Sequence, residues 1–308
     1  MKILVTGSSG QIGTNVGLAL LERGDSVVGI DKRANAWTDK IETVQMDLAK
    51  ASVEDIPKGP YDVVLHLAAN AKVFELVEQP QRAMDNVQTL FTTLEFCRQN
   101  RTPIIFASSR EVYGDIHHHI THENLADFVV AESPYSASKI AGEAFVYSYN
   151  QCYELPYLVF RFSNVYGRYD NDAERMERVT PLFIDYINNN QPITVFGKQK
   201  VLDFTYVDDC AAGVLSGIDR LVADEVKNQT INLAYGQGWT LVDLVNLISL
   251  GLRKEPNVTY EPSRSGEVMR YVADISKARE LLDYDPQTPL SAGIPKTLAW
   301  WKESGALK

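Results

Sequence analysis

An α/β fold, with a doubly wound parallel sheet and a smaller α/β lobe towards the C-terminus, is predicted by three observations. Short apolar strands alternate with amphipathic helices through the first half of the 308-residue chain. A glycine-rich turn, Gly7-Ser8-Ser9-Gly10-Gln11-Ile12-Gly13, joins the first strand to the first helix. Beyond Asn164-Val165-Tyr166-Gly167 the alternation loses its regularity. Strands separated by helices pair in parallel, and such a sheet needs cover on both faces.

The elements follow in order. Lys2–Thr6, Ser26–Asp31, Asp62–Ala68, Pro103–Ser108 and Pro156–Phe162 read as short buried strands, and a further strand, the third, ends just before Asp47. In Gln11–Arg23 the residues Ile12, Val16, Ala19 and Leu20 recur at helical spacing, with Gly24 as the C-terminal cap. Gln81–Asn100 and Tyr135–Tyr153 are longer helices. Arg168–Arg175 is polar and loop-like, Thr180–Asn189 is helical, and Pro192–Gly197 and Val201–Tyr206 are strands around a turn. Helices are expected at Thr240–Arg253 and Ser291–Glu303, with the strand Asn257–Tyr260 between them. The two lobes are expected to exchange segments: residues 1–165 plus about 203–235 in the first, 166–202 and 236–308 in the second.

Composition narrows the function classes. A net charge of −10 argues against a nucleic-acid surface, which needs clustered Lys and Arg. No apolar run reaches the roughly 18 residues of a membrane span. Met1 leads almost directly into Ile3-Leu4-Val5 without a basic segment or cleavage site, so a secretory signal is not expected. Cys97, Cys152 and Cys210 lack metal-ligand spacing and read as reduced thiols of a cytoplasmic protein.

The glycine turn carries the first chemistry. Between a strand and a helix, Gly7, Gly10 and Gly13 permit a tight turn, close approach of backbone to a pyrophosphate, and close helix packing. The open N–H groups around Gln11 and Ile12, with the helix dipole, then hold phosphates. Asp31 ends the second strand, where a carboxylate takes the adenosine ribose hydroxyls and repels a 2′-phosphate. That favours NAD over NADP, although Lys32 and Arg33 beside it weaken the exclusion. Together they give the sheet its Rossmann character. Asp47-Leu48 is placed to flank the adenine, or is a plain strand end. Ala68-Ala69-Asn70, after Leu67, ends the fourth strand with small residues where backbone passes a cofactor, or where a helix packs tightly, and Leu67, Ala68 and Ala69 are read as cofactor-side positions.

Tyr135 and Lys139 stand one helical turn apart, on one face. A nearby cation favours phenolate and lowers a tyrosine pKa from its usual value of about 10, making it a usable base.

With these residues assembled, the chain resembles the extended short-chain dehydrogenase/reductase family, in particular its nucleotide-sugar epimerases and dehydratases. The resemblance spans essentially the whole length. It rests on the glycine turn, Asp31, His66-Leu67-Ala68-Ala69, Ser108-Ser109-Arg110-Glu111-Val112-Tyr113-Gly114, the Tyr135/Lys139 pair, Arg161-Phe162-Ser163-Asn164-Val165-Tyr166-Gly167, and Asp203-Phe204-Thr205-Tyr206-Val207-Asp208-Asp209. It implies that Ser109 hydrogen-bonds the reacting sugar hydroxyl, that Tyr135 is the base, and that Lys139 activates it and holds the nicotinamide ribose. Asn86 and Ser163 fall on cofactor-side or structural positions. Asn164 falls where substrate phosphate binds, and Thr194 and Phe196 where the nucleotide base is cradled. Arg264 and Glu267 resemble a diphosphate-binding Arg and an acid for the ribose hydroxyls. Tyr271 falls beside the sugar C2 substituent, where its bulk would disfavour an N-acetyl group. A homodimer through Gln81–Asn100 and Tyr135–Tyr153 is implied too.

Departures bear on the reaction. Leu202 stands where most relatives carry a diphosphate-binding Arg, leaving Lys198, Lys200 or Arg270 as replacements. His117, His118, His119 and His122 lie in an unusual loop without accompanying carboxylates or cysteines, and no metal site is expected. In 4,6-dehydratases an Asp-Glu pair follows the Ser/Thr; here Glu111 is present but Arg110 replaces the acid, and a guanidinium has no proton to give. A decarboxylase acting on UDP-glucuronate could use Glu111 with a cation near the sugar carboxylate. A 4-epimerase needs least, since the 4-keto sugar turns over and takes the same hydride back. The expectation is therefore NAD-dependent C4 epimerisation of UDP-glucose and UDP-galactose. The alternatives are a dehydratase, a decarboxylase, or a non-catalytic NAD-binding regulator.

Overall fold

The computed structural model describes residues 1–113, 123, 131–171, 178–263 and 268–307. In chain order these form β1 (Lys2–Thr6), α1 (Gln11–Glu22), β2 (Ser26–Asp31), β3 (Glu42–Gln45), β4 (Val63–His66), α2 (Val73–Glu78), α3 (Gln81–Asn100), β5 (Ile104–Ser109), α4 (Pro134–Tyr153), β6 (Tyr157–Phe162), β7 (Asn164–Tyr166), α5 (Val179–Asn188), β8 (Ile193–Phe196), β9 (Val201–Tyr206), α6 (Val207–Val222), β10 (Gln229–Leu233), β11 (Gly238–Thr240), α7 (Leu241–Leu252), β12 (Val258–Glu261), α8 (Ser276–Leu282) and α9 (Leu290–Glu303).

Seven strands make one sheet in the order β10-β6-β5-β4-β1-β2-β3, with every pair parallel. The chain runs outward from β1 through β2 to β3, then returns to β4 on the other side of β1. The crevice beyond the C-terminal ends of β1 and β4 is the switch point at which such sheets bind ligands. Strand alternation separates two apolar faces. Ile3 and Val5 join Val16 and Leu20 of α1 and Val214 and Ile218 of α6 on one side. Leu4, Val28 and Ile30 join Leu90 and Leu94 of α3 and Val146 of α4 on the other. A fold of the Rossmann type with a smaller α/β lobe is what the sequence predicts, and it is what the chain adopts.

The smaller lobe holds a three-stranded sheet, β11-β9-β7, and the parallel pair β12-β8. Its own core packs Phe183, Ile184, Phe204, Leu244 and Trp301. Several elements escaped the sequence reading: α2, α6 and α8, the three-residue strands β7 and β11, and β10, which extends the large sheet beyond β6. Among the described residues no helix is long and apolar enough to cross a membrane, and no cluster of His, Cys, Asp or Glu could hold a metal ion.

Candidate active site

The turn after β1 is built where only glycine fits. Gly7 has φ +77°, and a Cβ on it would stand 2.8 Å from the Ala68 nitrogen and the Leu67 carbonyl carbon. A Cβ on Gly13 would collide with the Gly7 carbonyl oxygen. Gly10 is the N-cap of α1 and offers no side-chain cap, so the helix presents its first N–H groups uncapped. Ile12 packs against the core behind them. Asp31 is buried; its carboxylate accepts from Ser9 N at 3.1 Å and Arg33 N at 3.0 Å. It therefore also holds the turn in place, and a carboxylate retains capacity for ribose hydroxyls. Lys32 donates to Asn70 Oδ1 at 2.9 Å, and Arg33 lies 3.7 Å from Asp31, so both cations are engaged locally. A glycine cradle, an uncapped helix start and a buried strand-end carboxylate fit a dinucleotide with free ribose hydroxyls.

The neighbouring positions are more structural. Asp47 is half-exposed, 3.6 Å from Lys50, and Leu48 is buried against the sheet. Asn86 accepts from Asn70 N at 2.7 Å and donates to Asn70 O at 3.1 Å and Ser138 Oγ at 3.2 Å. Its hydrogen bonds thus brace the loop after Ala68-Ala69 against α4. Ser163 Oγ lies 2.5 Å from Thr205 Oγ1 and joins the end of β6 to β9.

The reacting constellation sits at the ends of β5 and α4. Ser133 caps α4, accepting from Ser136 N at 3.1 Å, and Pro134 sets the first turn. This fixes Tyr135 near the positive end of the helix, where a developing phenolate is favoured. Ser109, the last residue of β5, lies close enough to Tyr135 for its hydroxyl to favour the phenolate. Lys139 donates to Ala107 O at 2.7 Å, and its Nζ lies 5.8 Å from the Tyr135 ring centroid. Burial lowers Lys139 to about 8, against the pull of Glu143.

The Tyr135 pKa departs from the sequence expectation. Burial pushes it up to about 12; the Ser109 hydroxyl and Arg110 oppose this, while the Glu111 charge adds to it. In this structure desolvation outweighs the Arg110 charge, and Lys139 is not among the groups that shift the phenol. Burial also drives His66 down to about 3, helped by the Lys139 charge, so its ring is neutral beside Thr6 Oγ1 at 2.9 Å.

On the sugar side, Glu111 is buried and its Oε1 lies 2.9 Å from Arg110 Nη2. Asn164 accepts from Arg110 Nη2 at 3.3 Å and donates to Asp203 O at 2.9 Å. Tyr271 is fully buried with Val112, Tyr113 and Val268, its ring 5.7 Å from the Arg110 guanidinium. In β8 the alternation sends Ile193 and Val195 into the lobe core, leaving Thr194 and Phe196 half-buried on the opposite face. Leu202 is itself part of that core. Arg264, Glu267 and the four loop histidines lie outside the described residues.

Three supports were not read from the sequence. Buried Arg161 pairs at 2.7 Å with the partly buried Glu143, which also accepts from Ser108 Oγ at 2.5 Å, and the group braces β5 and β6 behind Ser109. Arg178 donates to Gln11 Oε1 at 2.6 Å while paired with Asp170, bringing a cation from the far lobe to the glycine turn. Asp203 accepts from the backbone of Tyr235, Gly236 and Ala273, and burial raises it to about 7 against those bonds. Arg161 and Asp203 stand in recognisable motifs; Glu143, Asp170 and Arg178 do not.

Known proteins resemble this chain over essentially its whole length. Residues 3–234 match the family described as the NAD dependent epimerase/dehydratase family. A putative UDP-glucose 4-epimerase of Methanocaldococcus jannaschii is 33% identical, the alignment covering 98% of this chain and 99% of that one. The crystal structure of a Thermotoga maritima UDP-glucose 4-epimerase with UDP-glucose superposes with a TM-score of 0.88 at 27% identity, covering 99% of each chain. A UDP-glucuronic acid 4-epimerase of Bacillus cereus, in complex with UDP-glucuronic acid and NAD, gives 0.86 at 26% identity, covering 99% of this chain and 100% of that one.

Proposed function

This chain belongs to the NAD-dependent epimerase/dehydratase family, and we propose that it interconverts UDP-glucose and UDP-galactose by epimerisation at C4 with Tyr135 as base. It is an enzyme of nucleotide-sugar chemistry, and NAD is its cofactor. NAD, when bound, would supply a reversible hydride acceptor for C4 of the sugar. Gly7, Gly10, Gln11, Ile12, Gly13 and Asp31 would hold its diphosphate and adenosine ribose, and Lys139 the nicotinamide ribose. Tyr135 removes the 4-hydroxyl proton, Ser109 orients that hydroxyl, and Lys139 supplies the positive charge that offsets the phenolate. The smaller lobe, to which β7 and β9 also belong, would place the nucleotide so that the 4-keto sugar can turn over.

The observation that carries the reading is the buried Ser109–Tyr135–Lys139 constellation with Arg110 in the position where elimination would need an acid. Glu111 is engaged by Arg110, which weakens the dehydratase and decarboxylase alternatives alike. The test is direct. Pure protein given UDP-galactose and no added oxidant should produce UDP-glucose without accumulating NADH; stoichiometric NADH would mark a net dehydrogenase. We also propose a homodimer through α3 and α4. Those helices pack together, and Met84, Phe91 and Phe145 stay exposed on them, with the Phe91 and Phe145 rings 6.4 Å apart. Sedimentation at micromolar concentration showing only monomer would contradict it.

A further inference from the structure

Arg110 and Glu111 form an ion pair inside the protein, with side chains only 13% and 6% exposed. The contact uses one guanidinium nitrogen and one carboxylate oxygen. The second nitrogen, Arg110 Nη1, and the second oxygen, Glu111 Oε2, are buried and have no hydrogen-bond partner among the described residues. Buried polar atoms are ordinarily satisfied, and a charged donor and a charged acceptor left open in one pair call for an explanation. The pair adjoins the reacting centre. Glu111 N donates to Ser109 Oγ at 3.2 Å, and both charges act on the Tyr135 hydroxyl.

We propose that the Arg110–Glu111 pair is the specificity-determining element for the C6 end of the sugar, accepting the neutral hydroxymethyl group of a hexose and rejecting the carboxylate of a uronic acid. The inference rests on the C4 reading above. Groups beside the base reach the substituents of C3 and C5, and only the C5 substituent distinguishes a hexose from its uronate. A hydroxyl both donates and accepts, so it can pair with a guanidinium N–H and with a carboxylate oxygen alike. A carboxylate only accepts: it would leave Oε2 unpaired and set a second negative charge against Glu111. Arg110 offers little compensation, because its charge is already opposed by Glu111. Sites that pair a substrate hydroxyl discriminate strongly for this reason.

The experiment compares kcat/KM for UDP-glucose and UDP-glucuronate in the wild type, in Glu111→Gln, and in the double variant Arg110→Gln/Glu111→Gln. The wild type should favour the hexose by about 10²-fold or more. Glu111→Gln should shrink that preference at least about tenfold, because the amide can donate to a carboxylate and carries no charge. The double variant leaves no unpaired buried charge, so it keeps the question open to measurement if the single variant does not fold; it too should lose the preference. Tm and retained NAD confirm intact protein. A wild type that turns over the uronate as well as the hexose, or a ratio unchanged in both variants, overturns the proposal while leaving C4 chemistry standing. A wild type with NAD bound and inert on both sugars overturns the C4 reading itself, and the assignment of the pair with it.

Discussion

The two ends of the active site are built by different means. The cofactor end is backbone: Gly7 and Gly13 leave space that a Cβ would fill, and α1 presents its own N–H groups. The sugar end is side chain: Ser109, Tyr135, Lys139, Arg110 and Glu111 come from β5, the turn after it and α4, and all are buried or nearly so. Backbone sites are fixed by sterics and tolerate little. Side-chain sites are fixed by a balance of burial and pairing, which shows in the opposed shifts of Tyr135 and Lys139. The contrast predicts that the two ends fail differently when altered.

The largest separation should come from Tyr135→Phe. Only the hydroxyl is lost, and removal of a general base costs a factor of about 10²–10⁴ in turnover. NAD retention should not change, because the glycine turn is untouched. Turnover near the wild-type rate would mean another base acts.

Gly13→Ala should do the reverse. The new methyl meets the Gly7 carbonyl, and overpacking of this kind costs about 1–3 kcal/mol. Calorimetric titration should show NAD affinity reduced by about 10–10²-fold, with turnover at saturating NAD much less affected. Unchanged affinity would break the claim that this turn is sterically set.

That contrast also explains what the sequence could show. Gly7, Gly10, Gly13 and Asp31 are legible because a strand-to-helix turn imposes its requirement on adjacent residues. Tyr135 and Lys139 are legible because a helix puts i and i+4 on one face. Arg161 meets Glu143 across two elements, and Arg178 reaches Gln11 from the other lobe; neither pairing follows from spacing. The raised Tyr135 pKa was equally out of reach, since it depends on how completely the fold excludes water from the phenol. Short strands such as β7 and β11 are defined by their partners, not by their own three residues.

The pH profile sharpens the side-chain half of the comparison. Lys139 loses its charge near pH 8, whereas Tyr135 does not ionise by itself until about 12. Turnover should therefore decline above about pH 8, by up to tenfold per pH unit. Stability should not follow it down. Between about 8 and the ordinary lysine value of 10.5 the unfolded chain binds more protons at this position than the folded one, so this group's contribution rises with pH. In Lys139→Arg the alkaline limb should move beyond the measurable range. A limb unmoved in that variant would assign it to a different group.

The smallest effect is expected where a buried hydroxyl has no partner. Tyr271 is fully buried, and its hydroxyl has no hydrogen-bond partner among the described residues. Tyr113 packs against it with ring centroids 6.0 Å apart, yet its hydroxyl donates to Asn232 Oδ1 at 2.9 Å. Removing a hydroxyl that is paired forfeits about 1 kcal/mol and strands its partner, whereas removing one that is unpaired relieves a desolvation cost. Thermal melts of the free protein should therefore show Tyr113→Phe lowered, and Tyr271→Phe unchanged or raised by the equivalent of up to about 1 kcal/mol. The same pair tests the sugar end. If Tyr271 stands beside the sugar C2 substituent through its bulk, Tyr271→Phe keeps that bulk and should keep the preference for UDP-glucose over UDP-N-acetylglucosamine. A changed preference would mean that the hydroxyl, and not the ring, meets the substrate.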